Sequence, residues 1–191
     1  MTSTLEKKWA CVDTDFLIHI SETKCAPDDT VTYLAIAFEK IGRIGIAHPL
    51  VYQNEIPKDH VVVSKIFKEK VVQIVQWDDV FVGDKAEDRR LYYQYLVPQI
   101  FRKLTGLDLP ITDVFTEWKR HCSLGEVHSI SLCLICGCDL FLSDDRDSKR
   151  IQRLIREDFG DVSVLSRAEV FRDPRLNGEI PRDFRNKFAH R

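Results

Sequence analysis

Carboxylates stand at four separated places in this chain where they could act together: Asp13 with Asp15, Glu55, Glu126, and Asp144 with Asp145. Each place adjoins a short apolar run or a helical segment. Asp13 ends Trp9-Ala10-Cys11-Val12, and Glu55 sits in the helical stretch after Ile44-Gly45-Ile46-Ala47. Glu126 starts a helical run, and Asp144 and Asp145 follow Leu140-Phe141-Leu142, with Asp147 just beyond. Singly, each has an ordinary structural reading. Ser123 to Glu126 fits a capping box, Ser143-Asp144-Asp145 a cap with first-turn acids, Asp13-Thr14-Asp15 a turn, and Glu55 a solvated helix position. Jointly, acids brought to one edge repel one another, which a cation among them relieves. All-oxygen donors suit Mg2+ or Mn2+ rather than zinc.

The elements that must position them alternate between strand and helix. The apolar runs at 9–12, 44–47, 71–77, 139–143 and 162–165 read as strands. Helical spacing covers 31–41, closing on Gly42, then a helix opened by Pro49, then 60–70, 125–136 and 144–157. This predicts an α/β fold: a three-layer α/β/α sandwich with a mainly parallel central sheet, in one domain over 1–191. In such sheets, sites form beyond the carboxyl ends of the strands, where these acids fall. A helical insertion at about 78–122 carries a helix over 85–97, ended or kinked at Pro98, and another near 112–120. A basic C-terminal extension at about 167–191 holds seven Lys/Arg against four Asp/Glu.

Three motifs resemble those of PIN-domain nucleases. Val12-Asp13-Thr14-Asp15-Phe16-Leu17-Ile18 resembles that superfamily's opening motif, and Gly125-Glu126-Val127-His128-Ser129-Ile130-Ser131-Leu132 its Gly-Glu-x-x-x-Ile-x-Leu helix. The block from Cys138 to Arg150 is similar to its apolar strand followed by Asp-Asp-x-x-x-Arg. Pro49 to Glu55 is close to the "Pro-x-x-Val-x-x-Glu" of the toxin branch, with the acid one residue later. The resemblance implies a PIN-like fold and a metal-dependent endoribonuclease hydrolysing RNA phosphodiesters. Its implied metal-binding residues are Asp13, Glu55, Glu126 and one of Asp144 or Asp145, with Asp144 favoured because it comes first after the strand. The implied cofactor is Mg2+ or Mn2+. Asp15, Arg146, Lys149 and Arg150 are the substrate-binding candidates, although a charge-rich helix such as 146–156 is more often a solvated face. An RNA substrate, an antitoxin protein and a homodimer are the partners the resemblance brings into view. His128 stands where relatives often carry a second Glu.

Two rivals stand beside this reading. Asp13-Thr14-Asp15 also resembles the Asp-x-Asp of haloacid-dehalogenase-like phosphatases, but Leu17 occupies the place of their Thr or Val, and their later Gly-Asp-x-x-x-Asp is missing. A catalytically silent PIN-fold module that holds RNA or protein is the other. With 28 Lys and Arg against 30 Asp and Glu, the net charge of −2 excludes a protein that coats nucleic acid by bulk charge. No membrane-spanning or export segment is visible, and six cysteines, several within apolar runs, suit a cytoplasmic protein with reduced thiols. Cys133, Cys136 and Cys138 read as core rather than zinc ligands, since a fourth ligand must be borrowed from His121 or Cys122. Tyr92, Tyr93 and Tyr95 in the insertion could stack on bases but more often belong to a core.

Overall fold

A computed structural model describes residues 8–116, 123–145 and 148–189, at 148 and 149 for the backbone only. Five strands, β1 (Trp9–Val12), β2 (Ile44–Ala47), β3 (Val72–Ile74), β4 (Leu140–Leu142) and β5 (Ser163–Leu165), form one sheet in the order β3-β2-β1-β4-β5. Every pairing is parallel. The chain builds outward from β1 through β2 to β3, then returns to lay β4 on the other side of β1. That reversal, between β1 and β4, is the switch point at which a parallel sheet opens a crevice.

The strands are three or four residues long, and β1, β2 and β4 are almost wholly buried, so each side chain's face decides its neighbours. Ala10 and Val12 of β1, with Leu140 and Leu142 of β4, join one core. Cys11 and Phe141, the residues between them, join the other. On the first face lie α1 (Thr14–Ser21), α2 (Pro27–Ile41) and α4 (Val61–Lys68), together with α10 (Arg167–Phe171) and α11 (Arg182–Ala189). On the second lie α6 (Ala86–Thr105), α8 (Leu124–Cys136) and α9 (Ser148–Asp158), with the short α5 (Trp77–Val80) and α7 (Asp113–Thr116). The short α3 (Pro49–Asn54) sends Val51 into the first core and packs against α8 at the carboxyl edge of the sheet. The architecture is an α/β/α sandwich, as the alternation predicts.

Several expectations change. The helix α1 directly after Asp13, unforeseen, is capped by that residue's carboxylate. The strand expected over 71–77 stops at Ile74, and Trp77 starts α5 instead. Helix α6 runs through Pro98 to Thr105 and ends on Gly106 in the left-handed conformation. Proline removes one backbone donor there, but Leu96, Val97, Ile100 and Phe101 are buried on both sides of it and hold the helix together. The basic C-terminal extension is an integral part of the fold. It folds as α10, a 3-10 turn (Pro174–Leu176) and α11, burying Val170, Phe171, Leu176, Ile180 and Phe188 in the first core. No described helix is long and apolar enough to cross a membrane.

Candidate functional site

Asp13 leaves β1 at the switch point, its N–H donating to the Leu142 carbonyl of β4 (2.9 Å). It is 4% exposed. One carboxylate oxygen accepts from the Thr14 N–H (2.9 Å), and the other accepts from the Ser143 hydroxyl (3.1 Å). The Asp145 N–H in turn donates to Ser143 Oγ (3.2 Å), so the β1 and β4 ends are laced together. Glu55 closes α3 and reaches over to α8: its carboxylate accepts from the Thr14 hydroxyl (3.4 Å) and from the Gly125 N–H. A Cβ on Gly125 would lie 2.2 Å from a Glu55 oxygen, so only glycine leaves room for this approach.

Glu55 thereby occupies the N-terminus of α8, where a carboxylate is favoured by the orphan backbone donors and the helix dipole. Ser123 makes no side-chain cap, and the capping box read at Ser123–Glu126 does not form. Glu126 instead turns to the other acids and hydrogen-bonds Asp145. Burial first, and the negative charges of Asp13 and Asp145 next, push the Glu126 carboxyl up to about 9. Burial and Asp15 push Asp13 up to about 7. Glu55 and Asp15 are raised as well, mainly by burial. Among the described residues, the leading charges acting on Asp13, Glu55 and Glu126 are those of other carboxylates. Five carboxylates thus share one edge of the sheet, and burial and mutual repulsion raise the proton affinity of Asp13, Asp15, Glu55 and Glu126.

Asp15, a substrate-binding candidate from the sequence, lies beside these acids: it faces Asp145 and Asp144, with His19 one turn along α1. Asp144, favoured from the sequence as the fourth metal acid, is turned the other way. Its Oδ2 lies 3.1 Å from His19 Nδ1 and 3.4 Å from Arg167 Nε, and its Oδ1 accepts from the Arg167 N–H (2.7 Å). Asp145 is the one that meets Glu126. Arg146 lies outside the described residues, as do His121 and Cys122, and the side chain of Lys149 is not described. Arg150 is exposed on α9.

A set of oxygen donors this crowded fits a hard divalent cation by its chemistry. As the side chains stand, however, no three Asp, Glu, His or Cys residues among those described converge in an arrangement ready to hold a metal. Glu126 and Asp145 share a hydrogen bond where a common centre would require both to turn inward.

Behind the acids lies a buried chain of hydrogen bonds that the sequence did not announce. The Leu50 N–H donates to His48 Nδ1 (3.1 Å), which leaves the proton on Nε2, facing Tyr93 Oη (2.7 Å). The Tyr93 hydroxyl then donates to His128 Nδ1 (2.6 Å), whose Nε2–H reaches the Val114 carbonyl (2.8 Å). The first donor, a backbone N–H, fixes the direction of every later one. Burial holds His48 well below its usual pKa and His128 down at about 4, so both stay neutral. The chain ties α3, which ends in Glu55, to α8, which carries Glu126, through Tyr93 of the insertion. Trp77 and Phe81 stack on each other beside it (5.2 Å, 5°) and shield it, while Tyr92 and Tyr95 stay on the surface. Cys133 and Cys138 are buried in the second core.

Comparison with known proteins finds no matching family model, no matching curated protein and no matching solved structure.

Proposed function

We propose that this protein is a divalent-metal-dependent ribonuclease of the PIN type, with Asp13, Glu55, Glu126 and Asp145 as its metal acids. The observation that carries the reading is the gathering of carboxylates from β1, α1, α3, α8 and the end of β4 at the sheet's switch point, crowded closely enough that the proton affinity of Asp13, Asp15, Glu55 and Glu126 is raised. Nature tolerates such crowding where a cation relieves it. Bound Mg2+ or Mn2+ would supply a water of lowered pKa and neutralise charge on a scissile phosphodiester. The chain's own part is positioning. Ser143 and the Thr14 N–H aim Asp13, Gly125 admits Glu55, and α8 presents Glu126 to Asp145. No side chain is proposed as a covalent nucleophile. Single-stranded RNA, whose backbone can bend into a cleft, is the substrate this reading favours.

The test is cleavage of an RNA pool in Mg2+ or Mn2+ by purified protein, with EDTA and acid-to-amide variants alongside. Asp13→Asn, Glu126→Gln and Asp145→Asn are each expected to lower the rate at least ~100-fold, the scale of losing one well-placed charge-stabilising group. Asp144→Asn should cost less, because its carboxylate serves His19 and Arg167. Full activity in EDTA would overturn the metal reading, and metal binding without any cleavage would favour a silent RNA-binding module.

A further inference from the structure

A second feature opens on the other side of the Asp144–Asp145 peptide. A cleft of about 670 Å³ is walled by the end of α1 and the turn after it on one side, and by the C-terminal segment on the other. Arg167 forms its floor, only 8% exposed, its guanidinium bound to the His19 carbonyl and beside Asp144. Two lysines stand at the rim. Lys187 is held over the Phe184 ring (4.8 Å) with its ammonium 3.4 Å from the Lys24 carbonyl, and Lys24 is exposed beside it. Among the described residues, neither lysine pairs with a carboxylate. Glu22 and Asp144 also line the cleft, but Asp144 is already matched by Arg167 and His19, and Thr23 adds a hydroxyl. The surplus is therefore positive, in a space large enough for a nucleotide.

We propose that this cleft is a phosphate subsite, binding an RNA phosphate that flanks the one at the carboxylates. The inference rests on the ribonuclease reading for its substrate, and it gives the C-terminal segment a role in the site. The geometry fits a strand running from one feature to the other. Adjacent residues, Asp144 and Asp145, face the cleft and the acids respectively, about 3.8 Å apart along the backbone. His19 of the cleft and Asp15 of the acids are one turn apart on the same side of α1. A polyanion lying there meets cations first, which offsets its repulsion from the carboxylates. The phosphate taken is either an internal one or the terminal 5′-monophosphate of a short strand, since both offer the same oxygens.

The experiment uses the full chain in a Glu126→Gln background, so that binding is read without cleavage. A short 3′-labelled single-stranded RNA, with a 5′-hydroxyl or a 5′-monophosphate, is titrated by fluorescence anisotropy over a range of salt. Lys24→Glu/Lys187→Glu is compared with Lys68→Glu/Lys85→Glu, the same charge change at exposed sites elsewhere. The cleft variant is expected to bind at least ~10-fold more weakly than the control. Its plot of log affinity against log salt should be shallower by about 0.7, for one lost phosphate contact on a single strand. Equal losses on both RNAs identify an internal phosphate. A 5′-monophosphate preference that vanishes in the cleft variant identifies a terminal one. Affinity and salt slope matching the control, or no RNA binding at all before the lysines are changed, overturns the proposal. If the unmodified protein does not cleave RNA, the nuclease reading falls, while these binding measurements still decide the cleft.

Discussion

At the scale of single residues, Asp144 and Asp145 show what the sequence told and what it withheld. The acids and their strand ends were legible, because short apolar runs closed by Asp are plain to see. The choice between the neighbours was not, since order after a strand does not say which face a side chain takes. Alternation does say it: Leu140 and Leu142 lead to Asp144 on the first face, and Phe141 and Ser143 lead to Asp145 on the second, where α8 waits. Gly125 offers the sharpest test at this scale. An added Cβ must displace the Glu55 carboxylate, the free end of a flexible side chain, so the fold should survive. Gly125→Ala is expected to change unfolding free energy in urea by no more than about 1 kcal/mol, as gained helix propensity offsets a lost cap. The same variant should lower metal-dependent cleavage at least ~100-fold and weaken Mn2+ binding measured by calorimetry.

At the scale of elements, α3, α6 and α8 are fastened by the chain from Leu50 through His48, Tyr93 and His128 to Val114. Nothing in the local pattern pointed to it, because its three side chains, His48, Tyr93 and His128, lie 35 or more residues apart and meet only after the sheet has formed. The sequence showed a helical insertion; that the insertion supplies the middle link required the tertiary packing. His48→Phe leaves the Tyr93 donor chain incomplete in a buried place, at a cost of about 2 kcal/mol near pH 8. The pH dependence follows from the depressed folded pKa of His48. Its stabilising contribution is complete above about pH 6.5, where the unfolded imidazole is also neutral. It is lost as pH falls below that value, because the unfolded chain takes up a proton that the folded one refuses. The gap between wild type and His48→Phe should therefore narrow by up to about 2 kcal/mol on going to pH 5, read from denaturant unfolding. Asp13 and Glu126, raised instead of lowered, act in the opposite sense, and comparing the two proteins at each pH cancels them.

Across the whole molecule, the charge count of the C-terminal stretch suggested a basic extension, yet its apolar residues decide its fate. Val170, Phe171, Leu176, Ile180 and Phe188 are spaced too irregularly to read as one amphipathic helix, being shared among α10, the 3-10 turn and α11. Phe171 and Phe188 stack at 4.3 Å beneath α1 and α2. Phe188→Ala is expected to cost about 3–4 kcal/mol by calorimetric or denaturant unfolding. Removing everything after Ser166 exposes the partners of all five side chains, at about 1.5–3 kcal/mol each, which rivals the whole stability of a domain. That truncation should show no cooperative transition. The peptide joining Asp144 to Asp145 carries a last consequence. The side chains at its two ends engage Arg167 and His19 on one flank and Glu126 on the other, so a backbone shift driven from either flank is felt at both. Reciprocity then binds the two: by whatever factor an RNA phosphate alters the affinity for a cation, the cation alters the affinity for RNA by the same factor.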